Sequence, residues 1–358
     1  MSRVYNFSSG PAMLPLSVLE KAKQQLPEYE NTGQSVMEMS HRSPEFNTIL
    51  IDCQNLLREV LNINDDYHIL FVQGGASLQF SMIPLNLAVN KVQIINTGEW
   101  TRKAFGEHNK LVSTEIIASS EEANFSYIPK ITKDMLDPSS DYLYICQNNT
   151  VFGTAYHSLP DCGDLPLVSD ASSNILSEPL DINKYGLLFA GTQKNIGPAG
   201  VCLVIIRKDL VKTKDNLPTM LDYNSYIENN SLYNTPPTYT IYMMGLVLQW
   251  IKDEIGGLQN MKTLNTTKAD LLYDFLDEST LFFNPVSKED RSLMNIPFFT
   301  NNEKLDALFV AEADKRGLVN LAGHRIAGGM RASVYNAMPI EGVKTLIEFM
   351  KNFEVQHG

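Results

Sequence analysis

Short apolar runs alternate with amphipathic stretches along the first two thirds of the chain. The runs have the length of buried strands, and the stretches repeat their apolar residues every three or four positions, as helices do. Strands are predicted at residues 68–72, 92–96, 113–119, 141–148, 166–172, 187–189 and 201–206. This alternation predicts an α/β fold with a mostly parallel sheet that is covered by helices on both faces.

Prolines help to delimit the helices of this part of the chain. Pro15 stands near the start of the first helix and Pro27 follows its end, and Pro84 should disturb a later helix. Residues 222–235 are polar and aromatic without a period, so a long loop is predicted there. The helices are predicted at residues 15–26, 47–61, 78–89 and 236–251 and, after a turn, within residues 97–108.

The last hundred residues predict a second, smaller unit. A chain of 358 residues exceeds the size at which one core keeps growing, so two domains are expected. Gly256 and Gly257 interrupt the helical pattern. Beyond them, helices are predicted at 264–277, 303–316 and 340–353, and a strand at 294–300. We therefore predict a large domain at residues 16–261 and a small α/β domain at residues 262–358 together with residues 1–15.

Composition and charge narrow the class of protein. Hydrophobic residues make up 44% of the chain and charged residues 20%, which is ordinary for a soluble globular protein. No apolar run is long enough to cross a bilayer, and the N-terminus lacks the features of a secretory signal. The formal net charge of −12 argues against nucleic acid or an anionic membrane as a partner.

The spacing of cysteines and histidines predicts neither a disulfide framework nor a metal site. The four cysteines lie far apart, and no pair has CxxC spacing. We expect them to be reduced, buried thiols of a cytoplasmic protein. The six histidines show no spacing typical of metal ligands, so no metal is predicted.

Lys194 lies between two of the predicted core strands. It is the only charged residue from Leu187 to Ile206, in a turn rich in glycine, proline and other small residues. Burial lowers the pKa of a lysine and makes its neutral, nucleophilic amine accessible, as Schiff-base chemistry requires. A lysine taken alone more often extends from a loop into solvent. The other residues of the site therefore decide between these interpretations.

Several polar and aromatic residues share with Lys194 a position at the end of a predicted strand. They are Ser77, Trp100, Thr150 and Asp170. In mostly parallel sheets, ligands bind beyond the carboxyl ends of the strands. Asp170 must be paired if it is buried. It would cap the following turn or, beside a Schiff-base lysine, hold a proton on the pyridine nitrogen of pyridoxal phosphate.

Two further features fit a phosphorylated aromatic cofactor, although each also has an ordinary explanation. The GGAS turn at residues 74–77 precedes a helix, and N–H groups at a helix start attract anions. The turn matches no established phosphate-binding motif, and it equally suits a plain connection between a strand and a helix. Trp100 would lie over an aromatic cofactor or belong to the core.

Histidine and arginine form two pairs in this acidic chain. His41–Arg42 and His324–Arg325 have the same order, and Arg331 follows the second pair. Guanidinium groups bind carboxylates and phosphates through paired hydrogen bonds, whereas a single arginine more often forms a surface ion pair. A substrate with an amino-acid carboxylate and a second anionic end would use such a set.

Nine stretches spread over nearly the whole chain resemble those of the phosphoserine aminotransferase family, which are class V aminotransferases of pyridoxal-phosphate fold type I. They are FSSGPAMLP (7–15), MSHRS (39–43), GGASLQF (74–80), NTGEW (96–100), NNTVFGT (148–154), SDASSNILSEP (169–179), AGTQKNIGPAG (190–200), LYNTPPT (232–238) and GHRIAGGMRASVYNAM (323–338). The set is highly specific. The resemblance implies the aspartate aminotransferase-like fold, with a large domain built on a mostly parallel sheet and a smaller C-terminal α/β domain.

The resemblance implies a role for each residue near the cofactor. Lys194 would bind pyridoxal phosphate covalently, Asp170 would pair with its pyridinium nitrogen, and Trp100 would stack on its ring. A partner subunit would contribute to the phosphate site, which implies a homodimer. The other expected contacts are Thr150 and Gln193 with the ring hydroxyl or phosphate, Ala76 and Ser77 with the phosphate, and Asn234 and Thr235 from the partner subunit.

The resemblance also implies how the substrate is held. Arg331 would bind the α-carboxylate, and Ser9 belongs to the same expected set. The phosphate of the substrate, or the distal carboxylate of glutamate, would be held by His41, Arg42, His324 and Arg325. Many relatives carry an arginine where this chain has Ser77. Phosphate binding is therefore expected to depend more heavily on the two histidine–arginine pairs.

The implied reaction transfers the amino group of L-glutamate to 3-phosphohydroxypyruvate. It yields O-phospho-L-serine and 2-oxoglutarate, a step of serine biosynthesis, and Lys194 would move the proton at the substrate Cα. Some bacterial members of the family also form 4-phosphohydroxy-L-threonine in pyridoxine biosynthesis. The sequence leaves open whether this chain does so.

Three other classes of protein fit parts of the pattern. A cysteine desulfurase needs a mobile catalytic cysteine, and the four cysteines here look buried or lie outside a Gly/Ser loop. A nicotinamide-dependent oxidoreductase would carry GxGxxG and an acidic residue at the end of its second strand, which this chain lacks. A non-catalytic binding protein would have no need of Lys194, Asp170 and Arg331 together.

Overall fold

The computed structural model describes residues 3–358, and the strands of this part of the chain form one large and two small sheets. The strands are β1 (Tyr5–Asn6), β2 (Tyr67–Gln73), β3 (Lys91–Asn96), β4 (Ser113–Ser119), β5 (Tyr142–Cys146), β6 (Leu167–Asp170), β7 (Leu187–Gly191), β8 (Val201–Arg207), β9 (Asn295–Phe298), β10 (Leu318–Val319) and β11 (Met330–Ser333). β1 pairs with β10 in parallel, and β9 pairs with β11 in antiparallel orientation.

The seven strands from β2 to β8 form the large sheet in the order β2, β8, β7, β6, β5, β3, β4. β8 runs antiparallel to both of its neighbours, and all other neighbouring strands are parallel. The predicted α/β fold with a mostly parallel sheet is therefore confirmed. The strand predicted at residues 166–172 ends earlier, at Asp170. It ends there because the Asp170 carboxylate accepts the N–H of Ser172 at 2.9 Å and turns the chain.

Helices occupy most of the predicted positions in the described chain. They are α1 (Leu16–Gln25), α2 (Pro44–Leu61), α3 (Gln79–Leu87), α4 (Glu99–His108), α5 (Tyr223–Glu228), α6 (Thr238–Trp250), α7 (Leu258–Glu278), α8 (Glu303–Lys315) and α9 (Ile340–His357). The prediction of a continuous loop at residues 222–235 was wrong, because α5 forms within it. Asp222 caps this helix by accepting the N–H of Asn224 at 2.9 Å, and Tyr223 and Tyr226 bury their rings on one side of it.

The two faces of the large sheet are covered by separate apolar clusters, and successive side chains of β7 point into one cluster and then the other. Leu188 and Ala190 point into the cluster that contains α2 and α6, whereas Leu187 and Phe189 point into the cluster that contains α3. This alternation is the pleat of a strand that is buried on both faces. The helices on the two faces therefore leave the strand ends as the natural place for a ligand.

A third apolar cluster belongs to the C-terminal part of the chain. It joins α7, α8 and α9 to β9 and β11, and Phe7 and Met13 of the N-terminal segment pack into it. α7 runs through the predicted boundary at residues 261 and 262, with Leu258 and Met261 in the core of the large sheet and Ala269 in the third cluster. The division into two domains stays a prediction.

No helix within residues 3–358 is long and apolar enough to span a membrane. The four cysteines are free thiols, and Cys53, Cys146 and Cys202 are buried as predicted. Cys162 is only half-buried, because it lies in the loop between β5 and β6 rather than in a strand.

Candidate active site

Lys194 lies in the turn between β7 and β8, at the carboxyl end of β7. The residue is 9% exposed, and its Nζ donates a hydrogen bond to Thr150 Oγ1 at 2.9 Å. The same nitrogen lies 5.9 Å from the centroid of the Trp100 ring. Burial lowers the pKa of Lys194 to about 8, and the negative charge of Asp170 opposes this decrease. Near neutral pH, Lys194 therefore has a far larger fraction of neutral amine than an exposed lysine has.

The N-terminal segment crosses directly over Lys194. The N–H of Ala12 donates to the carbonyl oxygen of Gln193 at 2.9 Å. Gly10 has a φ of +139°, and a Cβ on it would lie 3.4 Å from Gln193 Cγ and 3.5 Å from Lys194 Cγ. These distances are ordinary van der Waals contacts, so it is the unusual backbone angle that favours glycine at this position.

Asp170 is buried at the carboxyl end of β6, beside β7. Its Oδ1 accepts the N–H of Ser172, and the hydroxyl oxygen of Ser172 accepts the N–H of Gly191 at 3.0 Å. Burial raises the pKa of Asp170, while Ser172 and the positive charge of Lys194 favour the ionised carboxylate. The Ser172 hydrogen bonds tie the ends of β6 and β7 together and hold the carboxylate at the sheet edge.

One cavity brings together the residues that were predicted to share strand ends. Ser77, Trp100, Thr150, Asp170 and Lys194 all line it, and Ala76 and Gln193 complete the expected cofactor set within one chain. Their individual roles stay predictions, but their convergence is a property of the topology. The carboxyl ends of β2, β3, β5, β6 and β7 all lie at this end of the sheet, and Ser77 follows β2.

Several lining residues were missed by the sequence analysis as members of the site. They are Phe80, Cys146, Asn148, Ser172 and Ser173. None carries a charge, and their types are common in turns and cores, so composition alone could not single them out. Their place next to the predicted strand ends was the available signal. Burial and the charge of Asp170 raise the pKa of the Cys146 thiol, so this cysteine lacks the thiolate that a catalytic cysteine needs.

Trp100 stands in the first turn of α4, with charged groups beside it. Lys103 Nζ lies 4.5 Å from the centroid of the Trp100 ring and 3.3 Å from Glu99 Oε1. The indole Nε1 is buried and has no hydrogen-bond partner among the described residues. A buried donor without a partner is costly, and a polar group of a bound ligand could satisfy it.

Arg331 on β11 extends a buried guanidinium toward Thr150 and Ser9. Its Nη2 donates to Ser9 Oγ at 2.8 Å, and its Nη1 donates to the Thr150 carbonyl oxygen at 3.1 Å. The hydroxyl of Tyr335 donates to the carbonyl oxygen of Ser9 at 2.9 Å and so holds Ser9 in place. Since the side chain of Thr150 also accepts from Lys194, one residue connects the guanidinium and the amine. Tyr335 was not predicted, although it stands in the same stretch as Arg331.

The remaining predicted site residues do not line this cavity within one chain. Burial and then the charge of Arg331 lower the pKa of His324, while the charge of Glu99 opposes the decrease. Asn234 and Thr235 are exposed and accept hydrogen bonds from the side chain of Gln73. The predicted residues that do not line the cavity are Ser9 and Arg331, which are connected to it through Thr150, and His41, Arg42, Asn234, Thr235, His324 and Arg325.

His41 Nε2 is buried without a partner among the described residues, and Arg42 is exposed. Within residues 3–358, no cluster of histidine, cysteine and carboxylate side chains has the arrangement of a metal site.

Comparison with known proteins agrees with this geometry. The family model described as Aminotransferase class-V matches residues 4–346. The chain is 52% identical to the phosphoserine aminotransferase of a Bacillus cereus strain over 360 residues, which covers 100% of both chains. It is 53% identical to the phosphoserine aminotransferase of Listeria monocytogenes serovar 1/2a over 356 residues, which covers 99% of this chain and 97% of the relative.

Solved structures of phosphoserine aminotransferases have the same fold as this chain. Phosphoserine aminotransferase from Bacillus circulans subsp. alkalophilus superposes with a TM-score of 0.97 at 44% identity, over 99% of each chain. The pyridoxal-phosphate-bound phosphoserine aminotransferase from Trichomonas vaginalis superposes with a TM-score of 0.92 at 40% identity, over 98% of this chain and 100% of that one. The chain therefore belongs to the class V aminotransferase family and is a pyridoxal-phosphate-dependent aminotransferase.

Proposed function

We propose that this chain catalyses the reversible transfer of the amino group of L-glutamate to 3-phosphohydroxypyruvate, which yields 2-oxoglutarate and O-phospho-L-serine. One observation carries the proposal. The Lys194 amine, the Trp100 ring and the Asp170 carboxylate face one cavity, and Thr150 connects that amine to the buried Arg331. Full-length similarity to phosphoserine aminotransferases supports the choice of substrates.

The residues of the cavity fit pyridoxal phosphate. The unpaired Nε1 of Trp100, the buried Asp170 carboxylate and the Lys194 amine supply a donor, an anion and a nucleophile. A Cβ on Gly191 would lie 2.9 Å from Gln193 Oε1 and 3.3 Å from Ala76 Cβ. The glycine therefore lets Gln193 and the turn at residues 74–77 come close, where N–H groups and hydroxyls can hold a phosphate.

Each residue has a distinct task in the proposed chemistry. Pyridoxal phosphate, when bound, supplies an aldehyde that links to amines and a ring that accepts the electron pair left at the substrate Cα. The neutral amine of Lys194 removes the proton from that Cα, which its lowered pKa permits near neutral pH. Asp170 holds a proton on the pyridine nitrogen, because a buried carboxylate strongly stabilises a cation beside it. Trp100 provides the flat apolar surface on which the ring lies.

The proposed substrate site uses the cations around the cavity. Arg331 binds the α-carboxylate, since the residue is 7% exposed and its guanidinium forms no ion pair with any described residue. His41 and Arg42, with His324 and Arg325, hold the phosphate or the distal carboxylate of glutamate. They replace the arginine that many relatives carry at the position of Ser77.

We further propose a cytoplasmic homodimer with shared active sites. Asn234 and Thr235 are exposed at the carboxyl end of β2, where they meet Gln73 rather than the cavity of their own chain. The unpaired buried Nε2 of His41 likewise suits a partner group. Free thiols and a role in amino-acid biosynthesis favour the cytoplasm.

The experiment that tests this function is the absorption spectrum of the purified protein during substrate exchange. A visible band from the cofactor should be lost when O-phospho-L-serine is added and should return with 2-oxoglutarate. Adding pyridoxal phosphate first ensures that the sites are loaded. A loaded protein whose spectrum does not respond to phosphoserine would contradict the proposed substrate, and other amino donors, cysteine first, would then be tested.

Arg42→Ala should separate substrate binding from cofactor binding. Loss of a charged partner of the phosphate should raise the KM for O-phospho-L-serine by about 10- to 100-fold, with little change in cofactor affinity. Arg207→Ala is the control, because Arg207 forms a surface ion pair with Asp209. An unchanged KM for phosphoserine in Arg42→Ala would remove Arg42 from the proposed phosphate site.

A further inference from the structure

Lys268 is a buried lysine on α7 that the proposed chemistry does not use. It is 3% exposed, and its Nζ has no carboxylate partner among the described residues. It lies within hydrogen-bond distance of four backbone carbonyl oxygens of a single turn, which we call the 334–338 turn. The distances are 2.7 Å to Tyr335, 3.0 Å to Val334, 3.1 Å to Met338 and 3.5 Å to Asn336.

The chemistry of these contacts accounts for a lysine in the core. The carbonyl groups of the 334–338 turn converge on one point and would be costly to bury without donors. An ammonium group has three N–H donors on a flexible stem, so it can serve several acceptors at once. Burial lowers the pKa of Lys268 to about 7.

The 334–338 turn holds the substrate side of the active site. It follows directly from β11, which carries Arg331. The hydroxyl of Tyr335 donates to the carbonyl oxygen of Ser9, and the side chain of Ser9 accepts from Arg331. Displacement of this turn would therefore move Arg331 and Ser9 together.

The same turn also contacts Asn195, which follows Lys194, and the segment that follows β6. The N–H of Asn336 donates to Asn195 Oδ1 at 3.1 Å, and its side-chain amide donates to the Leu176 carbonyl oxygen at 2.9 Å. Asn265, one turn before Lys268 on α7, donates to Asn336 Oδ1 and to the Ser177 carbonyl oxygen, both at 2.9 Å. These residues are buried, so the bonds are shielded from competing water.

We propose that Lys268 is a positioning residue for transamination, which acts by fixing the 334–338 turn and thereby the separation between the Arg331 guanidinium and the Lys194 amine. The proposal rests on the proposed function in one respect, the assignment of Arg331 to the α-carboxylate. An amino acid bound at Arg331 must place its Cα next to Lys194. A displacement of about 1 Å of either group can cost a hundredfold in rate.

The test compares Lys268→Met with Lys262→Met in the holoenzyme. Methionine keeps the length of the stem and removes the donors, and Lys262 is a partly exposed lysine on the same helix that pairs with Glu178 at 2.9 Å. We expect Lys268→Met to raise the KM for the amino donor and to lower kcat, so that kcat/KM falls by about 10- to 100-fold. Cofactor affinity should stay within about twofold, and Lys262→Met should match the wild-type chain in every measurement.

Amide hydrogen exchange of the apoenzyme provides a readout that does not depend on activity. In Lys268→Met, exchange should accelerate in residues 331–338 and not in β7. Unchanged kinetic constants and unchanged exchange in a folded Lys268→Met protein would overturn the proposal. A lower melting temperature with wild-type KM and kcat below that temperature would also overturn it, because Lys268 would then serve stability alone.

A second variant covers the case in which Lys268→Met does not fold. Asn265→Ala leaves Lys268 in place and removes the bonds from α7 to Asn336 and Ser177, so it should give the same pattern in weaker form. Wild-type kinetic constants and exchange in Asn265→Ala would then count against the proposal. If the wild-type protein proves inactive with phosphoserine, the proposed function fails while the exchange experiment and the KM for another amino donor still test Lys268.

Discussion

Lys194 and Lys268 are both buried lysines, yet their surroundings differ in kind. Lys194 Nζ has one side-chain partner, Thr150 Oγ1, and faces a cavity that also contains a carboxylate and an indole ring. Lys268 Nζ faces four backbone carbonyl oxygens of the 334–338 turn and reaches no cavity of the site. One amine has space for a reaction beside it, whereas the other is fully occupied by acceptors.

The comparison teaches that burial alone does not identify a reactive lysine. Burial lowers the pKa of both residues, Lys194 to about 8 and Lys268 to about 7. The number of fixed acceptors separates them, because an amine whose donors are engaged by the backbone has no free direction of approach. A ranking of the two residues by lowered pKa alone would place Lys268 first, although Lys194 is the one that faces the cavity.

Replacement of Lys194 should have the largest effect. Lys194→Ala should reduce transamination by at least about a thousandfold, because Lys194 is the only lysine among the described residues that line the cavity. Cofactor should remain bound without a covalent link, which borohydride reduction followed by mass spectrometry measures. Lys262→Ala serves as the control. Turnover of Lys194→Ala near the wild-type rate would refute the role of Lys194.

Replacement of Asp170 should have the next largest effect on activity. Asp170→Asn keeps the shape and removes the charge that holds a proton on the pyridine nitrogen, so kcat should fall by about 100- to 1,000-fold. Because the Ser172 N–H can still donate to the amide oxygen, the fold should be preserved. A kcat within tenfold of the wild-type value would mean that the ring nitrogen does not depend on Asp170. Steady-state kinetics at saturating cofactor measures kcat of the variant and of the wild-type protein.

The free energy of unfolding should depend more on Lys268 than on Lys194, which is the opposite of the order expected for activity. Lys268→Met leaves the carbonyl groups of the 334–338 turn without donors and should lower the free energy of unfolding by about 2–4 kcal/mol. Lys194→Met removes an amine that has one partner and whose charged form burial disfavours, so the free energy of unfolding should not fall. Urea unfolding of the two apoproteins at one protein concentration tests this. Equal decreases in the free energy of unfolding for the two variants would contradict this expectation.

The smallest expected effect is a shift in the pH dependence of cofactor capture. The rate at which the apoenzyme captures pyridoxal phosphate should rise with pH and level off above about 8, the pKa to which burial lowers Lys194, rather than near 10.5. Between these values the unfolded chain binds more protons than the folded one, so the contribution of Lys194 to the free energy of unfolding increases with pH. Stopped-flow absorbance follows the capture, and a plateau near 10.5 would contradict the shift.

The sequence predicted the fold for local reasons. It also predicted strand-end positions for Trp100, Asp170 and Lys194, which line one cavity, while the roles of these residues stay predictions. The strand at residues 113–119 matches β4, and α1 and α8 end within one residue of their predicted ends, because hydrophobic period and breaker residues act locally. Lys194 and Asp170 could be singled out because a charge at the end of an apolar strand is rare. α5 was missed because its short pattern depends on packing of Tyr223 and Tyr226 against the sheet.

The sequence by itself determined the alternation of strands and helices, and with it the sheet edge at which Trp100, Asp170 and Lys194 meet. Only the tertiary structure decided what surrounds each buried lysine. Lys268 was overlooked in a helical pattern because its acceptors lie 66 to 70 positions away in the chain. Side-chain hydrogen bonds between distant segments depend on how the elements pack, and no local pattern of residues encodes them.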